Sequence, residues 1–142
     1  SHLENVLVIA DRGYEGFNLM AHIQEKGWRF LIRIQDAANS RGIANGLDLP
    51  NAKEFDLSVN LSLTTKQTNA VKMLAKNRNL YKILTNGRDF DYLPSTNRKH
   101  DPTVFYKLPF RIVRFRIADG VYETLVTNLD RRSFPASELK HL

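Results

Sequence analysis

The sequence contains no cysteine, so it offers no disulfide framework, no thiol nucleophile and no thiolate metal site, a composition that suits a reducing compartment. No uninterrupted apolar run approaches the ~18 residues of a membrane-spanning helix. Nor does a basic, apolar and small-residue series of the secretory kind open the chain, whose leading Ser1-His2 reads as a cloning scar. Histidine is scarce and scattered: His2, His22, His100 and His141 lack metal-ligand spacing. The glycine-containing segments "DRGYEG" and "RGIANG" lack the placement of a phosphate-cradling loop. Acidic residues are missing from two stretches, Leu57 to Arg88 and Pro102 to Ala118.

What remains is a chain of 142 residues with 42% hydrophobic content, enough for one domain or for a small core with a sub-domain. Its formal charge is +6. Lys66, Lys72, Lys76, Arg78, Lys82 and Arg88 occupy the first acid-free stretch and account for the whole excess; Lys107, Arg111, Arg114 and Arg116 lie in the second. Clustered cations favour a polyanion, because each neutralised phosphate releases condensed counterions. The same cluster also reads as the solvated face of an ordinary basic protein.

The stretch "VLVIADRGYEG" begins with a Val- and Ile-rich run that reads as a strand buried on both faces, ending abruptly in Asp11. Residues at the C-terminal ends of strands in open α/β sheets border the crevice where ligands gather. An Asp there also simply starts turns. Phe17, Met20, Ala21 and Ile23 recur at helical spacing and Gly27 suits a C-cap, so a helix is expected over about 17–26. "WRFLIRI" places Trp28, Phe30, Ile32 and Ile34 on one face of a second strand, with Arg29 and Arg33 on the other. Strand, helix, strand is the βαβ unit and predicts a parallel or mixed sheet at this end.

From Asp36 to about Leu49 the pattern collapses into an irregular linker. "FDLSVNLSL" then alternates strictly, with Phe55, Leu57, Val59, Leu61 and Leu63 on its buried side. "RIVRFRI", the turn "ADG" and "VYETLVTNL" form a β-hairpin. Between these, "NAVKMLAK" has room for a helical turn or two and "STNRKHDP" reads as an exposed loop. "FPASELKHL" starts a helix at Pro135 that stops after one or two turns at Leu142, as expected of a piece of a longer protein.

Both ends of the chain resemble one family. "VLVIADRGYEGFNLMAHIQEKGWRFLIRIQD" is similar to the segment around the second catalytic aspartate of DDE transposases of the insertion-sequence-four group, where a strand ends in Asp-Arg-Gly-Tyr or Phe. A helix follows there, and then a Gly-Trp-x-Phe/Tyr-Leu-Ile-Arg strand. "FRIVRFRIADGVYETLVTNLDRRSFPASELKHL" resembles the stretch just before that group's Tyr, Arg, Glu and Lys signature, and "FDLSVNLSLTTKQT" adds a likeness in the middle.

The resemblance implies an α/β fold: a partial ribonuclease-H-like core, made of strand-helix-strand and the start of the C-terminal helix, with a large β-rich insertion. Residues 1–35 would belong to the core, 36–129 to the insertion, and 130–142 to the return toward the catalytic Glu. It implies metal-dependent phosphodiester cleavage and strand transfer at transposon ends, with Asp11 as a catalytic and metal-binding residue for Mg²⁺ or Mn²⁺. The first catalytic Asp would lie before Ser1 and the Glu beyond Leu142, so the piece alone is expected to be inactive. Double-stranded DNA, as transposon end and target, is the implied partner, without a membrane and with a homodimer as the assembly the family allows; the setting is the bacterial cytoplasm and nucleoid. Arg12, Lys66, Lys72, Lys76, Arg78, Lys82, Arg88, Arg114, Arg116 and Tyr122 are the candidate DNA-binding residues, Tyr122 by stacking on an unpaired base. For Arg12 an ion pair with a nearby acid, and for Tyr122 packing in the core, stand as the plain alternatives. For the whole chain the alternative is a noncatalytic, basic, β-rich nucleic-acid-binding module, which leaves Asp11 without a purpose. Another metal-dependent phosphoryl-transfer enzyme would need a second nearby carboxylate, for which Glu15 is the local candidate.

Overall fold

The computed structural model describes residues 5–36, 42–95 and 97–142. Ser1-His2, residues 37–41 of the irregular linker and Thr96 of the "STNRKHDP" loop lie outside them. The first apolar run forms β1 (Leu7–Ala10), the helical periodicity α1 (Phe17–Glu25), and the next alternating stretch β2 (Arg29–Ile34). β1 and β2 pair in parallel, from Leu7 opposite Arg29 to Ala10 opposite Ile32, which makes the expected βαβ unit. α1 turns into β2 through Gly27 at φ 72°, a left-handed position that costs glycine little. There the Gly27 N–H donates to the Gln24 carbonyl at 2.9 Å and the Trp28 N–H to the Ile23 carbonyl at 3.2 Å, closing the helix.

The remaining elements are β3 (Phe55–Thr64), α2 (Asn69–Leu74), β4 (Tyr81–Ile83), β5 (Tyr106–Ala118), β6 (Val121–Thr127) and α3 (Ala136–Leu139). The strands form a six-stranded mixed sheet in the order β1-β2-β6-β5-β3-β4. β3 and β4 are parallel, whereas β6 runs antiparallel to both β2 and β5. β5 and β6 are the expected hairpin, closed at Asp119-Gly120 with Gly120 at φ 69°.

Two compact units divide the chain: Ser1–Ser58 with Phe110–Leu142, and Val59–Pro109. The β-rich stretch 36–129 contributes to both, because β6 hydrogen-bonds to β2. In the first unit Leu31, Val113, Phe115, Leu125, Leu129 and Leu139 form one buried cluster, with Leu7, Phe134 and Ala136 packed against it. Thr127 and Asn128 stitch β6 to β2. The Thr127 hydroxyl donates to the Phe30 carbonyl at 2.6 Å, and the Asn128 side chain accepts from the Phe30 N–H at 2.8 Å and donates to the Trp28 carbonyl at 3.1 Å. In the second unit Val59, Leu61, Leu63, Val71, Phe90, Leu93 and Leu108 are buried, and the rings of Phe90 and Tyr106 meet edge-on at 5.3 Å.

β1 departs from the expectation of burial on both faces. It ends the strand order with β2 as its one partner among the described residues, so Leu7, Val8 and Ala10 are half-buried and Ile9 is 50% exposed. Among the described residues no helix is long and apolar enough to cross a membrane.

Candidate active site

Asp11 follows β1 directly, in extended backbone conformation, and its carbonyl accepts from the Tyr14 N–H at 2.9 Å to start a single 3-10 turn over Arg12–Tyr14. Its carboxylate caps nothing and is 81% exposed. Across the parallel pair, Arg33 of β2 brings its terminal nitrogen to 3.5 Å from Asp11 Oδ1. Arg33 is in turn braced by an ion pair from its Nε to the largely buried carboxylate of Glu123. The register explains this pairing: Arg33 stands opposite Leu125, so Glu123, two residues away on β6, shares its face. A line of carboxylate, guanidinium and carboxylate therefore crosses β1, β2 and β6.

Glu15 is not part of that line. Its two oxygens accept from the backbone N–H groups of Gln35 at 3.0 Å and Ile43 at 3.1 Å, which fastens the segment after β2. Among the described residues no group of three or more His, Cys, Asp or Glu could hold a metal ion. The Asp11 carboxylate offers one hard oxygen ligand of the kind a divalent metal takes, and the described residues add no further members to such a group.

The candidate DNA-binding residues fall into different environments. Lys66 is 3% exposed, and its ammonium donates to the Asp101 carbonyl, so it does not belong to the surface on which its neighbours in sequence lie. The reason is local: at the end of β3 the chain turns inward, with Thr64 and Thr65 also buried and the Thr65 hydroxyl bonded to the Pro94 carbonyl. Lys72, Lys76, Arg78 and Arg88 are exposed and Lys82 is half-buried on β4. Arg12 is exposed beside Asp11. Arg114 is engaged three ways, by Asp36 at 3.4 Å, by the Lys53 carbonyl at 2.7 Å and by the Tyr122 ring, over which its guanidinium lies at 4.6 Å. That guanidinium covers one face of Tyr122 and leaves at most the other for a base. Arg116 pairs with Asp119 at 3.2 Å near the hairpin turn.

One cluster escaped sequence reasoning. Arg111, only 6% exposed, forks onto Asp56 at 3.1 and 2.5 Å and donates to the Leu129 and Phe134 carbonyls, both at 2.9 Å. Arg131 adds contacts to Asp56 Oδ1 at 2.8 Å and to the Ser58 hydroxyl at 3.0 Å. Burial pushes the Asp56 carboxyl up, but the hydrogen bonds and charges of Arg111 and Arg131 outweigh it and hold it below its ordinary value. The signal was parity: Arg111 shares the face of Val113 and Phe115, so a cation there must enter the interior and find an anion. The clasp ties the turn before α3 to β3 and β5.

An exposed carboxylate thus stands at a strand end beside a braced guanidinium, in a mixed α/β fold. The chain belongs to the transposase DDE domain family, whose model matches residues 1–142. No curated protein and no solved structure matches it. Membership implies a transposase function in DNA transposition, that of a DNA-cleaving enzyme in a family that generally uses divalent metal.

Proposed function

We propose that the chain is part of the catalytic domain of a DNA transposase of the insertion-sequence-four group, cleaving phosphodiesters and transferring strands at transposon ends. The observation that carries this reading is Asp11, an exposed carboxylate at the C-terminal end of a strand parallel to its neighbour, in a chain of the transposase DDE domain family. A ribonuclease-H-like core is supported by the β1-α1-β2 unit and by β1 itself, an apolar strand half exposed at the sheet edge that suits an interior place in a larger sheet.

Asp11 would hold Mg²⁺ or Mn²⁺, hard cations that prefer oxygen ligands. When bound, a pair of such ions stabilises the attacking and leaving oxygens of an in-line displacement. In this reading the first catalytic Asp and the catalytic Glu lie outside residues 1–142, and these residues alone do not cleave DNA. Arg33, held by Glu123, keeps a positive charge beside the Asp11 carboxylate, and Arg12 offers a second, exposed cation for a phosphate. Lys72, Lys76, Arg78, Lys82 and Arg88 lie along the DNA backbone, with Arg114, Arg116 and Tyr122, each also engaged by protein groups, as further contacts.

The test is Asp11→Asn in the complete transposase. Removing one charge at constant size should leave binding of transposon ends intact while nicking and strand transfer are lost. Near-normal cleavage by that variant would reduce Asp11 to a turn residue.

A further inference from the structure

α2 and the turns behind it present apolar side chains to solvent among cations. Met73, Leu74 and Leu80 are 62%, 42% and 43% exposed, although Val71 on the same helix is buried at 3%. A helix that served only to cover a core would not leave two large apolar groups, Met73 and Leu74, in water with a third, Leu80, six residues beyond its end. Lys72, Lys76 and Arg78 alternate with them along the chain and are exposed, and no acidic residue occurs between Leu57 and Arg88.

The backbone beneath these side chains is firmly held. The Thr68 hydroxyl caps α2 by accepting from the Val71 N–H at 3.4 Å, and the Ala75 N–H donates to the Val71 carbonyl at 2.9 Å. The Asn77 carbonyl then accepts from the N–H groups of Leu80 at 3.1 Å and Tyr81 at 3.0 Å, while the Leu80 carbonyl accepts from the Ser62 N–H on β3 at 2.7 Å. The apolar groups are thus carried on hydrogen-bonded turns.

The uniform charge around the patch selects its occupant. A second copy of this surface would bring like charge and be repelled. α2, with six residues, is short for a helix that lies in a lipid interface. A polyanion matches the rim, and among polyanions duplex DNA also has a use for the apolar centre, since Met and Leu side chains enter between base pairs from the minor groove and kink the helix. We propose that the corner between α2 and β4 is a DNA-bending wedge, in which Met73 and Leu80 enter the minor groove while Lys72, Lys76 and Arg78 hold the flanking phosphates. The inference rests on the reading that this protein works on DNA, and it adds a deformation of the duplex to plain backbone contact.

The experiment uses the 142-residue chain and short duplexes labelled at both ends for energy transfer, one with a central TA step and one with an A-tract, because TA steps kink easily and A-tracts are stiff. At saturation the wild type should raise transfer on the TA duplex, as expected for a bend of about 20–90°, and raise it less on the A-tract. Met73→Ser with Leu80→Ser should abolish the rise while the melting temperature and the salt dependence of binding stay unchanged. Lys72→Gln with Lys76→Gln should instead flatten the plot of log affinity against log salt by about 1.8. Equal bending by the serine variant, or no bending by a wild type that binds both duplexes, overturns the wedge and leaves the DNA reading standing. No DNA binding, with Met73- and Leu80-dependent binding to anionic phospholipid vesicles, overturns the wedge and DNA contact by this surface together; the Asp11→Asn test of catalysis is independent of either result.

Discussion

Replacing Arg111 by Met removes the centre of the buried clasp while keeping most of the apolar stem volume. Four hydrogen bonds disappear, two to Asp56 and two to the Leu129 and Phe134 carbonyls. Asp56 keeps Arg131, but that arginine is half exposed and holds it from the solvent side. Breaking a buried pair by removing one partner typically costs about 3–5 kcal/mol, mostly through the groups left uncompensated. For a chain of this size that corresponds to a drop in melting temperature of roughly 10–20 °C. The acid side gives an independent check. The folded-state pKa of Asp56 lies below its unfolded value, so its contribution is fully present above the ordinary carboxylate range and is lost as pH falls through the depressed folded value. The melting temperature of the wild type should therefore fall steeply below about pH 4, and Asp56→Asn should start lower at neutral pH and fall less. Thermal melts followed by circular dichroism between pH 2.5 and 7, in roughly half-unit steps, would show both effects. A melting temperature for Arg111→Met within about 3 °C of wild type at neutral pH would refute the reasoning, since it would mean a clasp worth under about 1 kcal/mol.

Replacing Lys72, Lys76 and Arg88 with Gln should flatten the salt dependence of duplex binding by about 0.9 for each phosphate no longer neutralised, equally for unrelated sequences, and leave the melting temperature unchanged. Lys66→Met, by contrast, should leave that slope unchanged and melt no lower than wild type, because it removes a buried ammonium whose partner is a neutral carbonyl; a flattened slope would return Lys66 to the surface. Gly27→Ala should cost about 1 kcal/mol through its φ of 72°, although a Cβ there would meet nothing within 4 Å, and a loss near zero by thermal melting would show that backbone conformation is not the issue.

The elements themselves were largely legible. Alternation in "FDLSVNLSL" and "RIVRFRI", the helical spacing of Met20 and Ile23, and the "ADG" turn each depend on side-chain periodicity within a few residues, and each appears where expected. Gly27 announced the end of α1 because a left-handed closure needs that residue. The environment of each charge was less legible. Lys66 and Lys72 look alike in sequence, yet one is buried against a carbonyl and the other is in solvent. The fate of a cation depends on which distant segment arrives beside it, and Asp101 lies far along the chain from Lys66.

By itself the sequence determined where most of the strands and helices and the hairpin turn lie, though not β4, together with the cysteine-free and locally basic character of the chain and the placement of Asp11 behind an apolar strand. These follow from periodicity, from composition and from the backbone limits of single residues. Only the tertiary structure decided that Arg33 would stand between Asp11 and Glu123, that Arg111 would be locked onto Asp56, and that Met73 and Leu80 would stay in water. Those outcomes depend on the register of β2 against β6 and on the pairing of segments remote in sequence. Long-range register is selected by the packing of whole faces, and no local pattern carries it.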